Sequence, residues 1–136
     1  MSITLEKATF PDLGKEQYIS LTTFRKTGQA MTTPVIFAQS PGTIYVGTRA
    51  DAGKLKRLRH TARVTLAPCT YSGKVTGAVI AGNARIVTEA EESKAASTAL
   101  AKKYGVMLPL TRIAWRLLHR KAKADEVYIA IEPISG

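Results

Sequence analysis

The residues best suited to chemistry lie in a short basic stretch that follows an apolar segment. Residues 49–63 contain six Lys and Arg side chains against a single acid, Asp51. Asp51 can cap a helix that begins at this point, and the small residues on either side leave the first N–H groups of that helix open to an anion. The stretch therefore predicts a site for a phosphate or a similar anion.

The spacing within this basic helix separates two groups of cations. At about 100° per residue, Lys54 and Arg57 lie together on one flank of the apolar face. Lys56 and Arg59 face away. A capped surface helix that carries solvated cations is the alternative interpretation of the same residues. The predicted anion contacts are Lys54, Arg57, the Thr48 hydroxyl and, as a further candidate, Arg49.

Side chains that carry acid–base, nucleophilic or metal chemistry are sparse in this sequence. The two histidines, His60 and His119, both lie in basic segments, and no G-x-S-x-G nucleophile motif occurs. No cluster of His and carboxylates has the spacing of a metal site. Cys69 is the single cysteine, which excludes an internal disulfide and a cysteine zinc cluster. We therefore predict no catalytic side chain and no metal site.

The elements that position these residues belong to one domain, because 136 residues with 45% hydrophobic and 22% charged side chains suit a single core over 1–136. No signal peptide and no membrane span is apparent, so we expect a soluble cytoplasmic protein. The net charge of +10 points to an acidic partner: nucleic acid, an anionic membrane or a polyanionic cofactor.

The pattern of apolar residues predicts six strands with helices between some of them. The strands cover 17–24, 30–39, 43–48, 63–68, 75–88 and 125–133. Helices are expected at about 51–60, at 89–104 with Gly105 as the C′ residue, and after Pro109. Gly77 and Gly82 lie inside the longest strand and indicate bends. We predict an α+β fold, a six-stranded antiparallel barrel with inserted helices.

A second basic helix is predicted at 110–123, and its apolar face is expected to be buried against another surface. Five apolar residues follow a helical stripe from Leu110 to Leu118, and Trp115 borders that stripe. Together with the barrel edge, this face predicts a homodimer. The cations of this helix have no assigned role.

The chain resembles a known family on the segments Tyr18-Ile-Ser-Leu-Thr-Thr-Phe, Thr32-Thr-Pro-Val-Ile-Phe and Ile44-Tyr-Val-Gly-Thr-Arg-Ala-Asp-Ala-Gly-Lys-Leu-Lys-Arg. The family is that of the flavin-reductase-like split β-barrels related to pyridoxamine 5′-phosphate oxidase, and the resemblance is strongest to its branch of probable F420-dependent enzymes. That family closes with an Arg-Leu-His-Asp-Arg segment, which this chain lacks, since Arg116-Leu-Leu-His-Arg120 lies on a predicted helix.

The resemblance implies a homodimer with the cofactor in a groove at the subunit interface. It implies that Thr32, Thr33, Pro34 and Val35 run alongside the ring of the cofactor. It also implies that Thr48, Lys54 and Arg57 hold the phosphate and acidic tail. A proline inside a strand removes a hydrogen-bond donor, so Pro34 independently indicates an edge strand or a bulge.

Several functions are compatible with these observations. The resemblance implies an oxidoreductase that uses F420, with FMN as the alternative cofactor, and transfers a hydride to a small unsaturated or quinone-like molecule. A non-catalytic carrier of a flavin or a tetrapyrrole is compatible with the lack of acid–base residues. A nucleic-acid-binding barrel fits the charge, but the sequence lacks the interleaved aromatics used for stacking, so we expect no nucleic acid as a partner. We also expect no membrane as a partner.

Overall fold

The computed structural model describes residues 10–49, 52–107 and 126–134. Within these ranges the chain forms seven strands and two helices. Their bounds are β1 Tyr18–Phe24, β2 Ala30–Val35, β3 Phe37–Ser40, β4 Thr43–Arg49, α1 Gly53–Leu58, β5 Arg63–Cys69, β6 Ile80–Ile86, α2 Ala90–Met107 and β7 Glu126–Pro133. Neighbouring strands pair antiparallel in the order β2-β1-β5-β6-β7-β4-β3. The predicted α+β class with an antiparallel sheet is confirmed.

The two outermost strands of this order are consecutive in the chain. Only Ile36 separates β2 from β3, although they stand at opposite ends of the sheet. The sheet must therefore curl until its two ends come together at Ile36, as in a barrel, although no described ladder pairs β2 with β3. The single strand predicted over 30–39 is divided by a corner at Ile36, which gives seven strands and not six.

The interior of the barrel is one apolar core. It is filled from every strand and includes Ile19, Leu21, Phe37, Ile44, Val46, Val64, Leu66, Ile129 and Ile131. Leu55 and Leu58 of α1 belong to the same core, so α1 packs onto the barrel. The strands β1 and β4 run parallel to each other and both end beside α1. This end of the barrel carries the predicted anion contacts.

A second apolar layer lies outside the barrel, under α2. Ala96, Leu100 and Tyr104 of this helix pack with Tyr128 and Ala130 of β7. We predicted that the helix would end before a C′ glycine at 105, and this is wrong, because α2 continues to Met107. Glycine after a helix is common but does not oblige the helix to end.

The hydroxyl of Tyr104 holds the corner between β2 and β3. It donates a hydrogen bond to the Gln17 carbonyl at 2.6 Å and accepts one from the Phe37 N–H at 3.0 Å. The Phe37 N–H follows directly after the corner, where the chain passes from one strand to the next. Burial raises the pKa of Tyr104 to about 12, so the phenol stays protonated and can make both bonds.

Lys103, the neighbour of Tyr104 on α2, places its ammonium group over the same corner. Its Nζ lies 3.3 Å from the centre of the Phe37 ring, a cation–π contact. The Nζ is buried and has no hydrogen-bond partner among the described residues. Burial lowers the pKa of Lys103 to about 8, although the charge of Glu16 acts in the opposite direction.

Two glycines permit close approaches near β6. A Cβ at Gly77 would lie 2.5 Å from Cγ of Pro68, and one at Gly82 would lie 2.8 Å from Cγ2 of Ile131. The long strand predicted over 75–88 is interrupted, because Val75 only bridges to Cys69 and the regular strand begins at Ile80. The region between them bends past Pro68.

Some predicted features lie outside the described residues. These are the Asp51 cap, the apolar stripe from Leu110 to Leu118 with Trp115, and the basic residues of 112–123. No helix within the described ranges is long and apolar enough to span a bilayer.

Candidate anion and cofactor site

Helix α1 begins four residues after the last residue of β4. Ala52 occupies its N-cap position, and the Ala52 N–H donates a hydrogen bond to the Arg49 carbonyl at 3.1 Å. Ala52 has no side-chain acceptor, so the N-cap residue itself supplies no cap. This hydrogen bond places the start of α1 at the end of β4, and the two buried leucines of the helix fix which flank faces out.

Three cations come together on the open flank of α1. Burial lowers the pKa of Lys54, and the charge of Arg57 lowers it further. Burial also lowers the pKa of Arg57, and here the second cause is the charge of Arg25, which follows the end of β1. No carboxylate is among the described groups that shift either pKa. Each of these cations therefore raises the free energy of its neighbour, and a bound anion would relieve that repulsion.

Arg57 is held in place by a neighbour from the barrel. Its Nε donates a hydrogen bond to Oγ1 of Thr23 at 2.5 Å. Thr23 is 1% exposed and lies on the inward face of β1, so its hydroxyl is a fixed acceptor. The bond occupies Nε and orients the guanidinium, whose remaining N–H groups include those suited to a bidentate contact with a phosphate or carboxylate.

The other two predicted contacts lie at the end of β4 and face in opposite directions. Thr48 shares the inward face of the strand with Ile44 and Val46, and it stands opposite Val127 of β7. Arg49 is exposed on the outward face and stands opposite Glu126. Opposite charges at facing positions of a ladder attract. The structure thus separates Arg49 from Thr48 and places it beside an acid.

The predicted ring contacts lie on β2, which is the first strand of the sheet order and pairs, among the described strands, with β1 alone. Thr32 and Pro34 are exposed on the outward face, and the Thr32 hydroxyl lies 2.7 Å from that of Thr22 on β1. Thr33 and Val35 face inward, and Val35 is buried in the barrel core. The edge position expected for Pro34 is confirmed. Val35 can meet a ligand only through its backbone.

One residue of this site, Thr23, was missed at the level of sequence. In the sequence, Thr23 is an ordinary strand residue. Its hydroxyl contacts Arg57 only because α1 packs against β1. Arg25, a further candidate contact for an acidic tail, lies at the start of the turn between β1 and β2. The other cations of α1 agree with expectation, because Lys56 and Arg59 are exposed.

The described residues contain no group of three His, Cys, Asp or Glu side chains that could hold a metal ion. Cys69 is buried, and burial raises the pKa of its thiol, so the thiolate required of a nucleophile is disfavoured. The arrangement combines cations that can bind an anion with an edge strand, β2. Among its described residues, this site has no pair of side chains placed to act as general acid and general base.

Comparison with known proteins agrees with this architecture. Residues 5–134 match the family described as Pyridoxamine 5′-phosphate oxidase. No curated protein matches the sequence.

Solved structures share the fold at low sequence identity. A protein described as an F420 reductase has a TM-score of 0.62 at 18% identity, with 90% of each chain covered. A putative 5-nitroimidazole antibiotic resistance protein from Bacteroides thetaiotaomicron has a TM-score of 0.65 at 12% identity, covering 93% of this chain and 82% of that one. The haem storage protein of Vibrio cholerae has a TM-score of 0.63 at 12% identity, covering 90% and 84%. These likenesses show the fold alone.

Proposed function

This chain belongs to the pyridoxamine 5′-phosphate oxidase family, and we propose that it binds the deazaflavin coenzyme F420 and transfers a hydride between it and a small unsaturated or quinone-like molecule. The likeness to a protein described as an F420 reductase supports this choice of cofactor. FMN is the alternative cofactor on the same fold.

The observation that carries the proposal is the cation cluster of Lys54, Arg57 and Arg25. Its members repel one another, and two of them are partly removed from water. Such an arrangement is costly without an anion and favourable with one. The phosphate of either cofactor fits this requirement, with the Thr48 hydroxyl as a further donor at the end of β4.

The choice between the two cofactors depends on the number of cations. FMN ends in one phosphate, for which Lys54 and Arg57 suffice. F420 continues beyond its phosphodiester into an acidic tail, and Arg25 extends the positive surface past the first two cations. Each charge-assisted contact to the tail contributes on the order of 1 kcal/mol, and less where salt screens it. The third cation therefore favours the longer anion.

The edge of β2 is the proposed place for the ring. Backbone groups along the unpaired side of an edge strand are free to hydrogen-bond a planar polar ligand, and Pro34 removes one donor from that edge. Thr32 and Pro34 are exposed beside it. The cofactor supplies the hydride chemistry when bound, and the described residues bind and orient it and exclude water.

We propose a homodimer in which the second copy covers this edge. The turn after β5 lies close to Pro34, because a Cβ at Gly73 would be 4.0 Å from its Cδ. The same connection exposes Tyr71 at 78% and Val79 at 66%. Large apolar side chains beside an exposed strand edge are suited to burial in an interface. A cofactor on β2 would then lie between the subunits.

The test is a titration of the purified protein with F420 and FMN, followed by absorbance or fluorescence. Lys54→Ala should weaken F420 at least tenfold, which corresponds to about 1.4 kcal/mol. Lys56→Ala is the matched control, because it removes an equal charge from an exposed position two residues away. We expect its effect to stay within twofold. Equal losses in both variants would mean a diffuse electrostatic surface and would overturn the proposed site.

Turnover is tested separately from binding. Protein loaded with reduced F420 is mixed with quinones and other unsaturated acceptors, and oxidation of the cofactor is followed in anaerobic cuvettes. Acceptor-dependent oxidation that requires Lys54 would establish the oxidoreductase. Tight binding with no oxidation by any acceptor would instead favour a carrier, a role for which the haem storage protein of the same fold is a precedent.

A further inference from the structure

A basic cavity lies next to the cation cluster and shares Arg25 with it, while the roles proposed above leave its other lining residues unassigned. Its volume is about 520 Å³. The lining residues are Phe24, Arg25, Lys26, Gly28, His60, Thr61 and Arg63. Three of the seven are permanent cations at neutral pH and none is acidic. Cavities of this size hold small molecules and not only single ions.

The walls of this cavity are held by backbone hydrogen bonds. One wall is the turn between β1 and β2, closed by bonds from the Arg25 N–H to the Gln29 carbonyl at 2.8 Å and from the Gly28 N–H to the Arg25 carbonyl at 2.7 Å. Gly28 has a φ of 92°, a conformation that glycine adopts without strain. The turn is therefore formed before any ligand arrives.

The opposite wall is the connection from α1 to β5. The N–H groups of His60 and Thr61 both donate to the Arg57 carbonyl, at 3.0 and 3.2 Å. The Thr61 hydroxyl in turn accepts a bond from the Arg63 N–H at 3.3 Å. The backbone of Arg57 thus anchors this wall, while its side chain belongs to the cation cluster. The two sites therefore share Arg25 and are joined through Arg57.

We propose that this cavity, lined by Arg25, Lys26, His60 and Arg63, is a second anion site that takes an extended acid with two or more carboxylates or phosphates. Cations on both walls cannot all be neutralised by one compact anion in a cavity of 520 Å³. An acid whose charges are spaced along a chain can meet both walls, and the Phe24 ring offers apolar contact between them. Because the walls are preformed, little ordering entropy is lost on binding.

The experiment uses triglutamate and inorganic phosphate as probes, titrated into the whole chain by calorimetry at low salt. We expect saturable binding of triglutamate, and binding of phosphate at least tenfold weaker. The double variant Lys26→Ala/Arg63→Ala should weaken triglutamate at least fivefold. Both side chains are exposed, so the fold is not at risk, and thermal unfolding verifies this. Lys74→Ala/Lys94→Ala removes the same charge from exposed positions outside the cavity lining and should change binding less than twofold.

Competition identifies the source of the acid. If F420 with its acidic tail displaces triglutamate while FMN does not, the occupant is the tail of the cofactor. If neither displaces it, a separate acidic molecule binds beside the cofactor. Failure of triglutamate to bind, or equal losses in the two double variants, would overturn the second site. That result would leave the Lys54 titration untouched, so failure of this inference and failure of the proposed function are distinguishable.

Discussion

Replacing Lys103 with methionine should stabilise the protein, because the native side chain buries an ammonium group without a described hydrogen-bond partner. Methionine keeps the length and apolar character of the stem and removes the charge. The pKa of Lys103 falls from 10.5 to about 8. The difference is about 2.5 units, and at about 1.36 kcal/mol per unit it sets an upper limit of about 3.4 kcal/mol on the cost of the charge.

The expected gain is smaller than this limit. The lysine side chain is only partly buried, so solvent screening reduces the cost to about 1–2 kcal/mol. The contact with the Phe37 ring recovers about 0.5–1 kcal/mol that methionine would forfeit. We therefore expect Lys103→Met to raise the free energy of unfolding by about 1 kcal/mol, or the melting temperature by about 4 °C for a chain of this size.

The pH dependence separates this cause from better packing. Folding lowers the pKa of Lys103, so the folded chain binds this proton more weakly than the unfolded chain does. Carrying the proton therefore lowers the free energy of unfolding. The cost is complete below pH 8, where both states carry the proton, and it disappears as the pH rises from about 8 to 10.5. The advantage of Lys103→Met should therefore shrink over that interval.

Urea unfolding of the two proteins at pH 7 and pH 10.5 measures this difference. Lys102→Met is the control, because Lys102 is the exposed neighbour on the same helix and loses the same charge. We expect it to change stability by less than about 0.5 kcal/mol at either pH. A variant at position 103 that is less stable at pH 7, or whose advantage persists unchanged at pH 10.5, would refute the buried-charge explanation.

Three further outcomes are expected. Tyr104→Phe should lower the free energy of unfolding by about 1–3 kcal/mol, because the Phe37 N–H and the Gln17 carbonyl both lose their partner; a change below about 0.5 kcal/mol in urea would show that water replaces the hydroxyl. F420 should bind more tightly than FMN in titrations at low salt, and the ratio of the two dissociation constants should narrow as salt is raised; FMN binding more tightly at every salt concentration would count against the acidic-tail contacts. Light scattering at micromolar concentration should give the mass of a dimer, and a monomeric mass would refute the proposal that the cofactor lies between two subunits.

Much of this architecture could be predicted from sequence because the strand pattern has a period of two. The corner at Ile36 could not, since the alternation runs through it unbroken. Val35 and Phe37 both point into the barrel core, while Ile36 packs against the outer layer. A continuous strand would bury the same residues, so the pattern carries no information about the corner.

The site was predictable to the extent that it depends on local geometry. Helix spacing alone places Lys54 beside Arg57, and the charge of Arg57 accordingly contributes to the lowered pKa of Lys54. The contribution of Thr23 and Arg25 depends on how α1 docks against β1, which no local pattern encodes. Likewise the predicted strand ends at 48, so the pattern did not anticipate that Arg49 continues β4 and stands opposite Glu126.

The position of β7 within the sheet has a consequence for the order of folding. This last described strand lies between β6 and β4, and its Ile131 stands opposite both Ala84 and Ile44. Contacts between residues so distant in sequence form slowly, because a long loop must close before any pairing is gained. During synthesis, β6 and β4 each present an unpaired edge until β7 has left the ribosome. We therefore expect the barrel to close only when β7 pairs with both neighbours, and we expect substitutions that weaken β7 to prolong the interval in which a nascent chain can aggregate.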